Sequence, residues 1–207
     1  MARTTGARNN DYQEKRQKMA EDAAGKLLSS ASNRPSMREF ARSMDVSVNN
    51  LRHYFGNRDG LIEAALQSMK RMGQPHIERM KTRYRNLPIE QAMSMTLHEL
   101  IRGWEPYLAA LHVSGLSEGL GSDRLGPAYV SAVLEPTLQS FEEMLTHYIN
   151  EGQLREESPR VMALGLLSPI ILALLHQGAL GGEQCRPLDM STFVDVHLTG
   201  FLRGYGT

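Results

Sequence analysis

The stretch Ser36–Leu66, SMREFARSMDVSVNNLRHYFGNRDGLIEAAL, carries the clearest structural signal in this chain of 207 residues. Ser36 and Glu39 have the spacing of a capping box, in which each side chain binds a backbone N–H at the start of a helix. From Met37 onward, apolar residues recur at i, i+3, i+4 and i+7, which is the period of one helix face. The stretch therefore begins with a predicted short, well-capped helix.

A second short helix is predicted almost at once. Asp45 and Val46 form a tight turn, because aspartate tolerates the left-handed backbone conformation that usually favours glycine there. Ser47 can then cap a helix that runs from Val48 to about Phe55. Two short helices joined by a three-residue turn have the layout of a helix-turn-helix, whose second helix enters the major groove of DNA.

The heptapeptide NNLRHYF, which ends this second helix, divides into two faces at about 100° per residue. Leu51 and Phe55 fall on one side and are predicted to anchor the helix in the core, with Tyr54 at the edge. Asparagine can pair with adenine, and arginine can pair with guanine or hold a phosphate, so the other face is predicted to contact DNA. That outward face consists of Asn49, Asn50, Arg52 and His53.

Two basic side chains extend the predicted DNA-binding surface. Arg38 lies on the preceding helix and can reach the same groove, and Arg58 stands where a phosphate clamp would be. Helix N-termini also attract anions. The alternative is that these are solvated polar residues on a small helical hairpin. The predicted DNA-binding residues are Ser36, Arg38, Ser47, Val48, Asn49, Asn50, Arg52, His53, Tyr54 and Arg58.

Charge is unevenly distributed along the chain, although the formal net charge is zero. Residues 1–85 contain 17 Lys/Arg and 9 Asp/Glu, whereas residues 86–207 contain 6 and 14. Such asymmetry indicates a basic N-terminal surface that meets an anion and a separate acidic body, with chance as the alternative. The basic part includes the predicted helix-turn-helix.

The single cysteine, Cys185, rules out an intrachain disulfide and fits a reducing cytoplasm. The first thirty residues contain no long apolar core, so no signal peptide is expected. The most apolar stretch, Val161–Leu175, is shorter than the roughly 20 residues that a membrane-spanning helix needs. We therefore expect a cytoplasmic protein with no membrane partner, in which this stretch is a buried helix that packs within the chain or against a second copy.

The patterns along the whole chain predict an all-α fold of about nine helices, since no sustained period-two alternation occurs. Residues 1–11 are expected to form a flexible basic arm, residues 12–58 the helix-turn-helix domain, and residues 59–207 a larger helical domain linked through the helix from residue 59. Gly73 and Pro75 are expected to bend or break that linking helix. Other helices are predicted at Tyr12–Ser30, Ile89–Gly103, Pro106–Leu116, Pro127–Glu151, Pro159–Leu180 and Met190–Arg203.

The opening stretch resembles the DNA-binding domain of the TetR family of bacterial transcriptional regulators, over about residues 15–66. The family pattern has a Thr/Ser-led helix, a hydrophobic-Ala pair, a Gly-Val-Ser turn, Leu-Tyr-x-His/Tyr-Phe, a basic residue and a leucine. Here these are Ser36, Phe40-Ala41, Asp45-Val46-Ser47, Leu51-Arg52-His53-Tyr54-Phe55, Arg58 and Leu61. Asp45 replaces the usual turn glycine, and Arg52 replaces the tyrosine that usually touches a phosphate.

The resemblance implies a homodimer, because one chain supplies one recognition helix and a palindromic operator needs two. It places the dimer surface on the last two long helices, with an intrachain core as the alternative role of their apolar residues. The predicted interface residues are Val161, Leu164, Leu167, Ile171, Leu175, Phe193, Val194, Leu198 and Phe201.

The resemblance also implies a pocket for a small-molecule effector among the central helices. Methionine and aromatic residues suit adaptable apolar pockets, although at helical spacing they more often fill a core. His176, on an otherwise apolar helix, is the most notable polar candidate, with a satisfied core histidine as the alternative. The predicted lining residues are Met95, His98, Trp104, Tyr107, His112, Tyr129, Met144, His147, Tyr148 and His176.

No enzyme motif accompanies this pattern. HELIR at His98 lacks the second histidine of a zinc-protease helix, and one cysteine leaves no Cys/His zinc spacing. We therefore predict no catalytic residues, no metal, no cofactor and no enzymatic activity. The resemblance implies a ligand-responsive regulator, most often a repressor, that a small molecule releases from a double-stranded DNA operator. The alternative is a small-molecule-binding protein or an all-helical enzyme with a vestigial helix-turn-helix.

Overall fold

The computed structural model of the protein describes residues 5–30, 33–83 and 85–207. Within these ranges the regular structure is helical, and the strand-like pairing is limited to an isolated bridge between Leu154 and Gly206. The predicted all-α class is confirmed. The chain forms two compact units: the first extends to Gly73 and includes Ala110–Val133, and the second comprises Gln74–Ala109 and Leu134–Thr207.

The described ranges contain eleven α-helical and two π-helical segments. Because π1 continues into α6, and π2 joins α7 to α8, they form ten continuous helical runs where about nine were predicted; the additional run is the short α10. In chain order the segments are α1 (Thr5–Ser29), α2 (Met37–Ser43), α3 (Val48–Phe55), α4 (Arg58–Arg83), α5 (Ile89–Arg102), π1 (Trp104–Leu108), α6 (Ala109–Gly119), α7 (Leu125–Tyr129), π2 (Val130–Leu134), α8 (Glu135–Asn150), α9 (Pro159–Gln177), α10 (Gly182–Cys185) and α11 (Met190–Tyr205).

Helix α1 begins earlier than the sequence predicts. It starts at Thr5 instead of Tyr12, so residues 5–11, which were expected to be part of a flexible arm, are helical. Residues 1–4 of that predicted arm lie outside the described residues. The prediction failed because it required an apolar face, whereas a helix that is already nucleated extends at little cost through polar residues.

Gly73 and Pro75 were predicted to bend or break helix α4. It is continuous from Arg58 to Arg83, so a break does not occur there, while a bend stays a prediction. A proline inside a helix removes one backbone hydrogen bond, which neighbouring bonds and packing can offset. Apolar residues are buried on both sides of this point, Met69 before it and Met80 after it. The boundary between the two compact units also falls here, between Gly73 and Gln74.

The core of the first unit is built largely from small and branched apolar side chains. Helix α1 contributes the alanine-rich stripe that its sequence predicts, and α2, α3 and α4 pack their apolar faces inward. The almost fully buried members are Ala20, Ala23, Ala24, Leu27, Phe40, Leu51, Leu61, Ile62 and Leu66. A core of this kind allows short helices to approach closely.

Helix α6 packs tightly into the first unit. A Cβ atom placed on Gly115 would lie 2.1 Å from the ring of Tyr129, so only glycine allows this approach. The hydroxyl of Ser114 donates a 3.0 Å hydrogen bond to the carbonyl of Leu27 in α1. Residues 110–133 are therefore part of the first unit. This unit contains more of the chain than the predicted helix-turn-helix domain of residues 12–58. The functional boundaries at residues 58 and 59 stay a prediction.

The second unit has one continuous apolar core, formed by α5, α8, α9 and α11 together with Trp104 of π1. Trp104, Phe141 and Tyr148 are its largest buried side chains. The most apolar helix, α9, buries one face that includes Leu166 and Ile170 and leaves the other exposed. By length and composition α9 could cross a membrane, a test that the core helix of a soluble protein also passes.

The close contact between Gly115 and Tyr129 gives a test of this packing. Gly115→Ala is expected to lower the free energy of unfolding by about 1–3 kcal/mol, because the new methyl group overlaps the Tyr129 ring. Gly25→Ala in α1 is the matched control, since nothing lies within 4 Å of a Cβ there. It should instead raise stability by about 0.5–1 kcal/mol through helix propensity. Urea unfolding followed by circular dichroism measures both variants. A change in the free energy of unfolding with the same sign in both would contradict the close packing at Gly115.

Candidate nucleic-acid interface

Local hydrogen bonds define both ends of the turn between α2 and α3. Glu39 N donates to Ser36 Oγ at 3.3 Å, and Ser36 N donates to the Glu39 carboxylate at 2.7 Å, which confirms the predicted capping box. The bond that Ser36 N donates to the Glu39 carboxylate lowers the pKa of that carboxyl group. Asn50 N donates to Ser47 Oγ at 3.0 Å, so Ser47 caps α3 as predicted. Asp45 has a φ of 52°, the left-handed conformation expected at this turn.

The two faces of α3 are divided as the sequence predicts. Leu51 is fully buried and Phe55 is 8% exposed, so these two side chains anchor the helix. Exposed residues on the opposite face are Asn49, Arg52 and His53, while Val48, Asn50 and Tyr54 are half-buried. Among the other residues predicted to bind DNA, Ser36, Arg38 and Ser47 are exposed.

Two residues of α1, which the sequence analysis missed, hold the C-terminal end of α3. The ring of Tyr12 stacks on Tyr54 with centroids 4.7 Å apart and meets His53 edge-on at 5.8 Å. Arg16 Nε donates to the carbonyl of Tyr54 at 3.4 Å, and its guanidinium lies 5.2 Å from the centre of the Phe55 ring. A sequence signal existed, because both residues precede the buried Ala20 at intervals of four, on one side of α1.

Arg58 is committed to contacts inside the protein. Its Nη2 and Nη1 atoms donate to the carboxylate of Glu118 at 2.6 and 2.8 Å, and its Nε donates to the carbonyl of Pro35 at 2.8 Å. Arg34 Nε adds a 3.2 Å bond to the same carboxylate. The predicted phosphate clamp at Arg58 is therefore corrected, since all three of its nitrogen atoms already have acceptors.

Glu118 is the buried centre of this group, at 2% exposure. Burial alone would raise the pKa of its carboxyl, but hydrogen bonds and positive charge from Arg58 and Arg34 outweigh burial and lower that pKa. The same bonds raise the pKa of Arg58. The sequence analysis missed Glu118, although it is an acid in a helix of otherwise apolar, small and neutral residues.

The residues predicted to line an effector pocket fall in both compact units, and the pocket among the central helices stays a prediction. His112 and Tyr129 pair in the first unit, with His112 Nδ1 and Tyr129 Oη 2.7 Å apart, and burial lowers the pKa of His112 to about 4. Met144, His147 and Tyr148 line a groove in the second unit. The other five belong to the second unit but do not line this groove: Met95, His98, Trp104, Tyr107 and His176.

Several of these side chains have other surroundings, such as a hydrogen bond, the core or solvent. His98 Nε2 lies 2.9 Å from an oxygen of Asp195, and Trp104 is 1% exposed within the core. His176, for which the sequence predicts either a pocket or a core position, is exposed, with its Nδ1 2.9 Å from Gln177 Nε2. Met95 is 45% exposed. Periodicity alone did not separate these environments, because each depends on which distant helix lies opposite.

The residues predicted to form a dimer surface fall into three groups by their exposure. Four of them are core residues of the second unit, and this part of the prediction is corrected: Leu167, Val194, Leu198 and Phe201. Ile171, Leu175 and Phe193 are half-buried, whereas Val161 and Leu164 are 62% and 40% exposed. Leu172 and Val196, which the prediction did not include, are exposed at 65% and 68%.

Among known proteins, only solved structures are similar to this chain at a significant level. No protein-family profile and no curated protein sequence matches the chain significantly. A protein assigned to the TetR family of transcriptional regulators, from Mesorhizobium loti, has 18% identity and a TM-score of 0.74, with 99% of this chain and 100% of that chain covered.

Two further solved structures are similar. SmeT, the repressor of the Stenotrophomonas maltophilia multidrug efflux pump SmeDEF, has 18% identity and a TM-score of 0.58, covering 93% of this chain and 90% of its own. The flavonoid-responsive regulator FrrA has 19% identity and a TM-score of 0.62, covering 93% and 98%. At these identities the likeness shows a shared fold.

The Glu118 contacts predict a pH-dependent contribution to stability. Glu118→Gln should lower the free energy of unfolding by about 1–3 kcal/mol near pH 7, because two guanidinium groups would then face a neutral amide. The folded-state pKa of Glu118 is lowered, so its contribution is present above the unfolded-state pKa and is lost as pH falls through the folded-state value. The gap between wild type and variant, measured by urea unfolding, should stay constant down to about pH 4.3, the ordinary pKa of glutamate, and shrink below it.

Glu63→Gln provides the control for this experiment. Glu63 pairs with Arg124 at 2.7 Å in the same unit, but the two side chains are 43% and 49% exposed. Its loss should cost less than about 1 kcal/mol. Equal losses in the two variants would contradict the special role of the buried carboxylate.

Proposed function

We propose that this chain, with the fold of TetR-family regulators, is a ligand-responsive transcriptional regulator that binds a palindromic DNA operator. The observation that carries the proposal is the presentation of α3: α2 and α3 are both capped, Leu51 and Phe55 anchor α3 in the core, and Asn49, Arg52 and His53 are exposed. A regulator of this kind acts in the cytoplasm. Neither a cofactor nor a catalytic step is needed.

The exposed face of α3 has the chemistry of a reader of base edges. Asn49 can pair bidentately with adenine, and Arg52 can pair with guanine or hold a phosphate. Arg38 on α2 and Arg34 ahead of it supply further exposed positive charge. Phosphate contacts of this kind position a protein on the duplex, while base contacts give specificity.

A homodimer would provide the second recognition helix. The exposed side of α9 carries Val161, Leu164 and Leu172 at helical spacing, and α11 exposes Val196. Such apolar residues on adjacent helices fit a self-complementary two-fold interface. Two copies of α3 about one DNA turn apart, roughly 34–36 Å, would then match a palindromic operator.

Ligand response would follow from a population shift. A small molecule that binds better to an arrangement with a different spacing of the two α3 helices draws the protein away from DNA, which makes a repressor the simplest form of the regulator. SmeT has been solved in complex with triclosan, and FrrA is described as flavonoid-responsive. We extend to this chain only the general property of binding a small organic molecule.

Removal of the reading side chains tests the DNA-binding proposal. An operator is first selected from a random duplex library, and fluorescence anisotropy then measures its affinity. Arg52→Ala and Asn49→Ala should each weaken binding by about 10- to 100-fold, because a bidentate base contact contributes about 1–3 kcal/mol.

Arg71→Ala is the control for these variants, since Arg71 is an exposed arginine of α4 in the same unit. It should leave operator affinity unchanged. Wild-type affinity should also fall steeply with salt, because phosphate contacts release counterions. A wild-type protein that selects no operator would instead favour a small-molecule-binding protein with a vestigial helix-turn-helix.

Introduction of a negative charge on the exposed side of α9 or α11 tests the proposed dimer. Leu172→Asp and Val196→Asp should each convert a dimer to a monomer at micromolar concentration, because a carboxylate would be buried without a partner at the interface. Light scattering coupled to gel filtration measures the mass. Leu120→Asp is the control, as Leu120 is 76% exposed in the first unit. A monomeric wild-type protein would contradict the dimer.

A further inference from the structure

A groove of about 750 Å³ lies within the second unit, between the C-terminal part of α4, α8 and the first turn of α9. Its volume is within the range of about 300–1,000 Å³ that is typical of small-molecule sites. A neighbouring cavity of about 570 Å³ shares Arg85, His147 and Tyr148 with it. Arg85 therefore lies at the boundary of two neighbouring cavities.

The inner wall of the groove is suited to an apolar molecule. Met80 and Tyr148 are 9% and 1% exposed, and Met144 beside them is half-buried. Methionine side chains adapt their shape to what they contact. Ser140 also lines the groove, is 2% exposed, and has a hydroxyl with no hydrogen-bond partner among the described residues. That hydroxyl is available to hydrogen-bond a polar group of a ligand.

The charged residues at the rim are mostly paired with one another. Lys81 Nζ lies 2.9 Å from the carboxylate of Glu143 and 3.5 Å from that of Glu78. Arg160 Nη1 lies 3.0 Å from the carboxylate of Glu142. Each carboxylate that lines the groove thus already contacts a cation, which reduces the ability of the acids to attract a positively charged ligand.

Arg85 differs from the other cations of the groove. It is exposed, it lines both cavities, and within the described ranges no carboxylate lies within 4.0 Å of its side-chain nitrogens. Its backbone carbonyl lies 3.1 Å from His147 Nε2, which holds this segment against α8. Glu151 lines the second cavity and weakens the positive field, but it forms no ion pair with Arg85.

We propose that this groove binds an amphipathic carboxylate, with the carboxylate at the Arg85 guanidinium and the apolar part over Met80, Met144 and Tyr148. A guanidinium forms two parallel hydrogen bonds with a carboxylate, and a Met-rich wall accepts aliphatic or aromatic groups of different shape. The inference deepens the proposed function and rests on it for its regulatory meaning, because such a molecule would be the effector.

Isothermal titration calorimetry with three probes of equal chain length tests the ligand class. The probes are octanoate, 1-octanol and octylammonium, each used below the concentration at which it aggregates. Octanoate should bind about five- to tenfold more tightly than either of the others, as expected for one charge-assisted contact at a partly exposed site. Equal affinities, or tighter binding of octylammonium, would overturn the proposal.

Three variants locate the site. Arg85→Gln should remove the preference for octanoate, whereas Arg79→Gln, an exposed arginine of α4 outside the groove, should retain it. Thr146→Trp should fill the groove from an exposed position and weaken octanoate binding by about tenfold or more. Unchanged binding in both Arg85→Gln and Thr146→Trp would place the octanoate elsewhere and overturn the proposal.

Operator binding, measured separately, distinguishes failure of this inference from failure of the proposed function. A wild-type protein that binds its operator but not octanoate would refute the groove site alone. One that binds octanoate with the expected variant pattern but selects no operator would refute the proposed regulator and leave the site. If both hold, octanoate should lower operator affinity in the wild type but not in Arg85→Gln; no change in the wild type would overturn the effector role.

Discussion

A buried carboxylate holds together the parts of the first unit that present α3. Glu118 accepts two hydrogen bonds from Arg58 and one from Arg34, while Arg58 also donates to the carbonyl of Pro35. One group of contacts therefore joins α6, the start of α4 and the segment before α2. Breaking it would leave a buried charge without a partner, which is costly. The orientation of the helix-turn-helix thus depends on a residue sixty positions after Arg58.

The start of α4, which Arg58 holds in place, also packs closely against the backbone of α3. A Cβ atom on Gly60 would lie 2.2 Å from the carbonyl oxygen of Phe55, so the start of α4 and the end of α3 are in direct contact. From the other side, Tyr12 stacks on Tyr54. Helix α3 is thereby held at its C-terminal end by two helices, and its outward face is left exposed.

The parts of the fold that sequence analysis predicted correctly depend on interactions between near neighbours. The caps at Ser36 and Ser47, the left-handed Asp45 and the inward position of Leu51 each involve contacts within about four residues, or one side of a single helix. The incorrect parts depend on distant partners. Arg58 looked like a phosphate ligand because Glu118 was too far along the chain to be recognised as its acceptor.

The same distinction applies to the second unit. Sequence by itself determined that the chain is helical, where most helices lie, and which side of α3 is polar, since these follow from backbone hydrogen bonding and from a periodicity of 3.6 residues. Only the tertiary structure decided that Leu198 fills the core while Leu172 is exposed, and that Met144 and Tyr148 share a groove with Arg85. Burial and ion pairing depend on two segments that pack against each other. The residue pattern of one segment does not show which distant segment will be its partner.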